Sequence, residues 1–150
     1  MKQFEGYFED FSPDLEFVSP SRTITEGDLA NYLAIAGDYN QIYSSDEFAK
    51  KSIYGKRILP SLMVFAVATG LYGRMKGLQD HFLAMLGQLW TFPNTACVGD
   101  TLTLVANFPK KREIRHPDRG IVTRHLKVIN QRGECIVESE GDMMIGKRLS

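Results

Sequence analysis

Three side chains that can donate, accept or transfer a proton lie within six positions of one another, at Asp38, Asn40 and Tyr43. Turn-forming residues surround them, so we predict that they lie in an irregular segment. Further along the chain, Pro60 and Ser61 begin a long apolar stretch. A helix that begins there would direct free backbone N–H groups toward the polar segment. A carboxylate, an amide and a phenol that face the N-terminus of a helix indicate a functional site.

The apolar stretch extends from Ile58 to Gly73 and contains no charged side chain. Its apolar residues cover nearly every face of a 3.6-residue period, which is typical of a helix enclosed in a protein core. The stretch is shorter than the roughly 18 to 20 residues that cross a bilayer, and basic residues follow it. We therefore predict a buried central helix over about 59–75, with Pro60 in its first turn.

Two shorter helices precede this stretch. Thr25 and Asp28 have the spacing of a capping box, in which each side chain accepts a hydrogen bond from the backbone of the other residue. We predict that this helix runs to about residue 36 and that Gly37 ends it in a left-handed conformation. Ser44 and Glu47 repeat the capping-box spacing, which predicts a short helix that ends near residue 51.

After the central helix the hydrophobic period changes from 3.6 to 2, which is typical of strands. We predict strands over 82–92, 102–108, 120–130 and 134–144, and a short strand over 15–24 that Pro20 interrupts and confines to a sheet edge. The last three strands form an antiparallel meander. Residues 1–150 therefore form one domain of the α+β class, in which an antiparallel sheet wraps around a long buried helix. Pairing of exposed sheet edges would make this domain a dimer.

The composition excludes some classes of partner. Lys plus Arg equals Asp plus Glu at 18 each, so no overall charge draws the chain to nucleic acid or to an anionic membrane. The N-terminal residues lack the apolar segment of a secretory signal. Cys97 and Cys135 have neither metal-binding nor disulfide spacing. We therefore expect a cytoplasmic protein with reduced thiols that binds neither nucleic acid nor membrane.

Residues 37–63, GDYNQIYSSDEFAKKSIYGKRILPSLM, resemble the hydratase signature of MaoC-like proteins, which are (R)-specific enoyl-CoA hydratases with the hot-dog fold. The usual pattern is G-D-x-N-P-[IL]-H, then a short helix, then F/Y-G-x-x-I-x-H-G-M. Three further segments also match in order and spacing, and they extend the resemblance over most of the chain: SRTITEGDLANYLAIAGDYN, FPNTACVGDTL and IVTRHLKVINQRGECIVESEGDMMI. The resemblance implies a single hot-dog domain.

In such enzymes an Asp and a His hold and deprotonate the water that adds to the β-carbon of an enoyl thioester. A backbone N–H supports the thioester oxygen, where negative charge develops. Matched by position, the resemblance implies that Asp38 is the base, that Asn40 belongs to the site, and that the Ser61 N–H is the oxyanion donor. Tyr43 occupies the position of the His, and Pro60 with Ser61 occupies the His-Gly pair.

The replacement of His by Tyr43 is expected to affect catalysis more than the replacement of Gly by Ser61. A phenol titrates near about pH 10 and an imidazole near about 6.5, so Tyr43 removes a proton poorly at neutral pH. We expect Tyr43 to line the pocket and to position water or donate a proton, which leaves Asp38, buried beside the apolar helix, as the general base. Ser61 has the same backbone N–H that a Gly would supply. Because Pro60 comes directly before it, at the start of the helix, this N–H is free to bind the thioester oxygen. Ser61 has no nucleophile elbow, so we do not predict a nucleophile there.

Residues 110–119 together with Arg124 carry six Lys or Arg against two Asp or Glu, a local excess in a neutral chain. In one interpretation these residues form a solvated hairpin loop. In the other, Lys110, Lys111 and Arg112 bind the phosphates of coenzyme A or an acidic acyl-carrier protein. A nucleic-acid role is weaker, because no recognised binding module accompanies the charges.

Three hypotheses of function remain. The first is a hydro-lyase that reversibly hydrates an enoyl thioester of coenzyme A or of an acyl-carrier protein, as a homodimer or an oligomer of dimers. The second is a non-catalytic subunit that binds acyl thioesters and partners an active hydratase in a heterodimer. The third is a hot-dog thioesterase. We expect no metal, since the three histidines lack ligand spacing, and no cofactor beyond the coenzyme A or pantetheine of the substrate.

Overall fold

The computed structural model describes residues 3–148, which form four α-helices, one 3₁₀ helix and six β-strands. The helices are α1 (Glu26–Ala36), α2 (Gln41–Ser44), α3 (Asp46–Lys50) and α4 (Ser61–Gly73), and the 3₁₀ helix is Phe8–Asp10. The strands are β1 (Glu16–Val18), β2 (Arg22–Thr23), β3 (Phe82–Thr91), β4 (Thr101–Glu113), β5 (Arg119–Ile129) and β6 (Cys135–Gly146). This sequence of elements confirms the predicted α+β class.

The strands form one antiparallel sheet in the order β1-β4-β5-β6-β3, and β2 also pairs with β4. The predicted meander of the last three strands is confirmed. The strand predicted around Pro20 is divided into β1 and β2, which both lie along β4 at one edge, as expected for a residue without a backbone N–H. At the opposite edge, β3 pairs with β6 and with no other strand in residues 3–148.

Helix α4 lies against one face of the sheet and contacts β4 and β6. Apolar side chains alternate along the strands and are buried where they face the helix, namely Leu102, Leu104, Ala106, Phe108, Val122, Leu126 and Val128. Residues 4–11, an N-terminal arm rich in aromatic side chains, pack on the same core, since the rings of Phe11 and Phe108 meet edge to face with 4.7 Å between centroids. The period-2 pattern of the sequence therefore marks the face that forms the core.

The central helix is not buried on every side, which corrects the prediction. It begins at Ser61, because Pro60 has extended dihedral angles (φ −55°, ψ 132°) and precedes the first helical residue. Leu62 is 53% exposed, and Ala66 and Gly70, which follow at intervals of four, are exposed as well. One strip of α4 is thus uncovered in the single chain, since the sheet covers the opposite face. Within residues 3–148, every helix falls short of the length and apolar content that a membrane crossing requires.

Helix α1 has the predicted caps. The Thr25 hydroxyl accepts a hydrogen bond from the Asp28 N–H, and the Asp28 carboxylate accepts one from the Thr25 N–H. Gly37 ends the helix with a φ of 65°, which a residue with a Cβ rarely adopts. These local bonds fix where α1 ends, and so they fix where the polar segment that begins at Asp38 leaves the helix.

The cap of α3 lies one residue later than predicted. Ser45, rather than Ser44, accepts a hydrogen bond from the Phe48 N–H at 3.2 Å. The Ser44 hydroxyl is already engaged, since it donates to the carbonyl oxygens of Tyr39 and Asn40, each at 3.1 Å. Helix α2, which the capping-box spacing did not predict, contains Ser44, and only Ser45 separates it from α3.

Candidate active site

The loop between α1 and α2 holds Asp38 and Asn40. One oxygen of the Asp38 carboxylate accepts the Asn40 N–H at 3.4 Å, and the Asn40 side chain caps α2 by accepting the Ile42 N–H at 3.1 Å. Asn40 therefore shapes the backbone of this loop. Asp38 is exposed in the single chain, which corrects the expectation that it is buried beside the apolar helix. The C-terminal end of α1 lies at the surface, and no segment in residues 3–148 covers the carboxylate.

Tyr43 lies in α2, half-buried and packed against the hydrophobic core. Burial raises the pKa of its phenol above the usual value of 10, and the negative charge of Asp38 raises that pKa further, followed by Tyr32 and Tyr54. The phenol is consequently protonated at neutral pH, so it can donate a hydrogen bond but cannot act as a base.

Helix α2 lies beside the segment that leads into α4. The Ile58 N–H donates to the Ile42 carbonyl oxygen at 3.3 Å, and Pro60, two residues later, is buried and ends this segment. The Ser61 N–H is the first of α4 and has no acceptor among residues 3–148. An open N–H at the start of a helix of 13 residues attracts negative charge. Asp38, Tyr43 and Ser61 are thus carried by elements that contact one another.

Arg57 holds these elements together, and sequence analysis missed it. Its guanidinium donates to both carboxylate oxygens of Glu26 at 2.8 and 2.9 Å, to Asp46 at 2.7 Å, and to the Tyr43 carbonyl oxygen at 3.4 Å. The hydrogen bonds to Glu26, and then those to Asp46, raise the pKa of Arg57. One side chain thus joins the start of α1, the end of α2 and the start of α3. No local pattern in the sequence pairs Arg57 with Glu26, which lies 31 positions earlier.

Replacing Arg57 by Met is expected to lower the free energy of unfolding by about 1 kcal/mol, because both carboxylate partners are largely exposed and water screens the ion pairs. Urea denaturation of the two proteins measures this difference. Replacing Lys50 by Met removes the exposed ion pair with Glu47 and serves as the control, with an expected change below about 0.5 kcal/mol. Equal effects of the two substitutions would contradict a bracing role for Arg57.

The three basic residues expected to bind phosphate do not form one patch. Lys110, Lys111 and Arg112 lie on β4, and the hairpin loop is limited to residues 114–118, which corrects the interpretation of a long solvated loop. Successive side chains of a strand point to opposite faces. The Lys111 ammonium donates to two backbone carbonyl oxygens of the N-terminal arm at 3.0 and 3.1 Å, whereas Arg112 lies 3.7 Å from the Asp142 carboxylate. Their role in phosphate binding stays a prediction.

Comparison with known proteins relates this site to a family. Residues 11–130 match the family model described as the MaoC like domain. Over 145 residues the chain is 30% identical to beta-methylmalyl-CoA dehydratase of Chloroflexus aurantiacus, which covers 95% of this chain and 41% of that protein. The chain spans less than half the length of the curated relatives that it matches.

Solved structures give the same answer for the fold. The monoamine oxidase regulatory protein from Archaeoglobus fulgius superposes with a TM-score of 0.88 and 28% identity, over 95% of each chain. RV0216 of Mycobacterium tuberculosis, described as having a double hotdogfold, superposes with a TM-score of 0.79 and 19% identity, over 98% of this chain and 46% of that one. The sheet wrapped around α4 is therefore a hot-dog fold, as the resemblance in the sequence implied.

Proposed function

Since this chain belongs to the MaoC-like domain family, we propose that it reversibly adds water across the C2–C3 double bond of an enoyl thioester. The thioester is linked to coenzyme A or to an acyl-carrier protein. One observation carries the proposal: hydrogen bonds of Asn40 join the loop that carries Asp38 to α2, which carries Tyr43 and lies beside the segment that ends at the open N-terminus of α4. The similarity to a named dehydratase over 95% of this chain supports a hydro-lyase type of reaction.

In the proposed mechanism the Ser61 N–H donates a hydrogen bond to the thioester oxygen. Asp38 removes a proton from water, and the water oxygen forms a bond to C3. The π electrons of the C2–C3 bond move to give an enolate, whose oxygen the N-terminus of α4 stabilises. Asp38 then returns the proton to C2, which completes the hydration without a separate cofactor. An apolar acyl group that docks beside Asp38 would exclude water from the exposed carboxylate and make it a stronger base.

The other residues of the site position these groups. Tyr43, which stays protonated, holds the attacking water through its hydroxyl. Asn40 caps α2 and so orients Tyr43, while Pro60 sets the turn that leaves the Ser61 N–H open. We propose Lys110 and Arg112 as contacts for the phosphates of the carrier. Lys111 contributes less, because its ammonium is engaged by backbone carbonyl oxygens.

The reaction rate is expected to stay level between pH 7 and 9, since the pKa of Tyr43 is raised and its hydroxyl loses its proton only above about pH 10. In Tyr43→His the rate should instead rise through about pH 6.5, as the imidazole loses its proton and becomes a base. Loss of the enoyl-thioester absorbance, followed from about pH 5.5 to 9.5, measures both profiles, because this range includes the titration of an imidazole and stays below that of the phenol. A decline of the wild-type rate between pH 7 and 9 that Tyr43→Phe removes would contradict the role given to Tyr43.

The second candidate function is a subunit that binds an acyl thioester without transforming it. It is favoured by the phenol at position 43, which supplies no base, and by the exposure of Asp38. Purified wild type that leaves every enoyl-CoA unchanged, together with turnover in Tyr43→His, would establish this candidate in place of the hydratase. Release of free thiol, measured with a thiol reagent, would indicate the thioesterase, because hydrolysis of the thioester also removes the enoyl-thioester absorbance. The absorbance and thiol measurements together separate all three hypotheses.

We also propose that the protein acts in the cytoplasm as a homodimer, as an oligomer of dimers, or as a heterodimer with an active hydratase. The edge strand β3 supports pairing, because its backbone has an open side and its side chains include Leu89, which is 72% exposed. The uncovered strip of α4 around Leu62 supplies further apolar surface. Pairing through β3 would continue the sheet from one subunit into the next.

A further inference from the structure

A groove between α1 and α4 adjoins the candidate active site, and its volume is about 260 Å³. On the α1 side it is lined by Tyr32 and Ile35, and Ile35 precedes Asp38 by three residues, which the chain spans with at most roughly 11 Å. On the α4 side it is lined by residues of successive turns, namely Met63, Ala66, Val67 and Gly70. Met63 follows Ser61 by two residues, roughly 3 Å along the helix. This α1–α4 groove therefore lies within reach of the proposed base and of the proposed oxyanion donor.

The α1–α4 groove is apolar, and small residues keep it open. Met63 is buried at its base, whereas Ile35 on the other side is 88% exposed. A Cβ added at Gly70 would have no packing partner within 4 Å, so the fold has room for a side chain there. Glycine inside a helix is less favourable than alanine, so its presence does not stabilise α4. An open apolar recess beside reacting groups suits the apolar part of a ligand.

An ion pair limits the α1–α4 groove on the side away from Asp38. Asp28 precedes Ile35 by seven residues, roughly 10 Å along α1, and its carboxylate lies 2.5 Å from the Arg22 guanidinium. The N–H and the hydroxyl of Thr25 donate to the same carboxylate at 2.9 and 3.0 Å, which holds Asp28 in place. Covering an ion pair with hydrocarbon removes its water and costs free energy. The apolar part of the groove therefore has a limited length.

We propose that the α1–α4 groove binds the apolar tail of the acyl group, so that the substrate is a straight-chain fatty enoyl thioester of medium length. This inference rests on the proposed function, which places the thioester oxygen at the Ser61 N–H and C3 beside Asp38. From there the tail passes between Ile35 and Met63 and lies along α4. A volume of 260 Å³ holds about eight carbon-sized groups, if each takes roughly the 30 Å³ that a water molecule takes in the liquid.

A tail in this position also affects the proposed base. Asp38 is exposed in the single chain, and a carboxylate in water is a weak base at neutral pH. Hydrocarbon that covers Ile35 would exclude water from the neighbouring loop and disfavour the charged form of the carboxylate. Chain length should therefore raise kcat as well as lower KM, because part of the binding energy acts on the reacting groups.

The test compares trans-2-butenoyl-CoA with trans-2-octenoyl-CoA, which differ only by methylene groups of the tail. Wild type is expected to have a kcat/KM about 30-fold higher for the octenoyl substrate, because a fully buried methylene group contributes roughly fourfold and the groove is open on one side. Gly70→Leu places an isobutyl group in the groove and should reduce this ratio to below about threefold. Gly70→Ala adds only a methyl group and should give an intermediate ratio.

Ala30→Leu is the matched control, because it adds a leucine side chain at an exposed position of α1 that does not line the groove. It should keep the wild-type ratio. Thermal unfolding shows whether each variant folds, and Gly70→Leu is expected to be at least as stable as wild type, since leucine favours a helix more than glycine does. An unchanged ratio in Gly70→Leu, an equal fall in Ala30→Leu, or loss of subunit pairing by Gly70→Leu in light scattering would overturn the proposal.

Calorimetric binding of the saturated pair, butanoyl-CoA and octanoyl-CoA, separates this inference from the hydratase proposal. Tighter binding of octanoyl-CoA by wild type, lost in Gly70→Leu and kept in Ala30→Leu, would support the groove even in a protein that does not turn over. Equal binding of the pair by wild type would overturn the inference, even in a protein that hydrates enoyl thioesters rapidly.

Discussion

Replacing Asp38 by Asn is expected to lower kcat/KM for hydration of an enoyl thioester by about a thousandfold, the scale on which removal of a general base reduces a rate. Tyr43 cannot take over, since burial, which the substitution leaves in place, keeps the pKa of its hydroxyl above the usual value and the group protonated at neutral pH. The amide oxygen of Asn can still accept the Asn40 N–H, so the loop should keep its conformation. Enoyl-thioester absorbance measures the rate, and thermal unfolding measures the integrity of the fold.

Glu47→Gln provides the control for this substitution. It removes a carboxylate from α3, close to Asp38 in the sequence, at a side chain that is 82% exposed and pairs with Lys50. Its rate is expected to stay within about twofold of wild type, since an exposed ion pair contributes little. Asp38→Asn that keeps more than about a tenth of the wild-type rate would show that another group removes the proton from water.

The second large effect is expected from Ser61→Pro, which removes one backbone N–H together with the side-chain hydroxyl. Proline is tolerated in the first turn of a helix, where the N–H has no partner within the helix. Pro60 already has the extended conformation that a residue before a proline requires (φ −55°, ψ 132°). Because the Ser61 N–H is the proposed oxyanion donor, kcat should fall by about 100- to 1,000-fold, while the melting temperature changes little.

Ser61→Ala is the control for the loss of the N–H, because it removes the hydroxyl and keeps the backbone donor. Its rate is expected to lie within about threefold of wild type, which would separate the role of the backbone from that of the side chain. A comparable loss of rate in Ser61→Ala would identify the hydroxyl as the working group. Undiminished activity in Ser61→Pro would remove Ser61 from the oxyanion site.

Most of the fold follows from patterns that lie within a few residues of one another. The capping box of Thr25 and Asp28 and the left-handed Gly37 place both ends of α1, and alternating residues such as Leu102 and Leu104 place a strand and its buried face. Hydrogen bonds in a helix cap span three or four residues, and side chains alternate with a fixed period along a strand. Neither property depends on distant parts of the chain. The motif around Asp38 likewise indicates the family through residues that are close together in the sequence.

Local patterns predicted the ends of the short helices and the burial of the site less accurately. The spacing of Ser44 and Glu47 predicted a cap, but the Ser44 hydroxyl is taken by two carbonyl oxygens and Ser45 caps α3 instead. Asp38 was expected to be buried because an apolar helix follows it in sequence. Asp38 is in fact exposed. The prediction failed because nothing in the sequence indicates which side of α4 the sheet covers and which side it leaves open.

The contacts that join the site to the rest of the molecule were decided by the tertiary structure. Arg57 meets Glu26 only when α1 and the segment before α4 are brought side by side, and Arg124 meets Gln88 only through the register of three strands. A shift of one residue in any of these strands would turn a side chain to the other face of the sheet. The sequence by itself therefore determined the elements, the family and the candidate residues Asp38, Tyr43 and Ser61. Only the packing of those elements decided which charges are paired and that Arg124 is buried, because residues that are distant in sequence become partners only through strand register and packing.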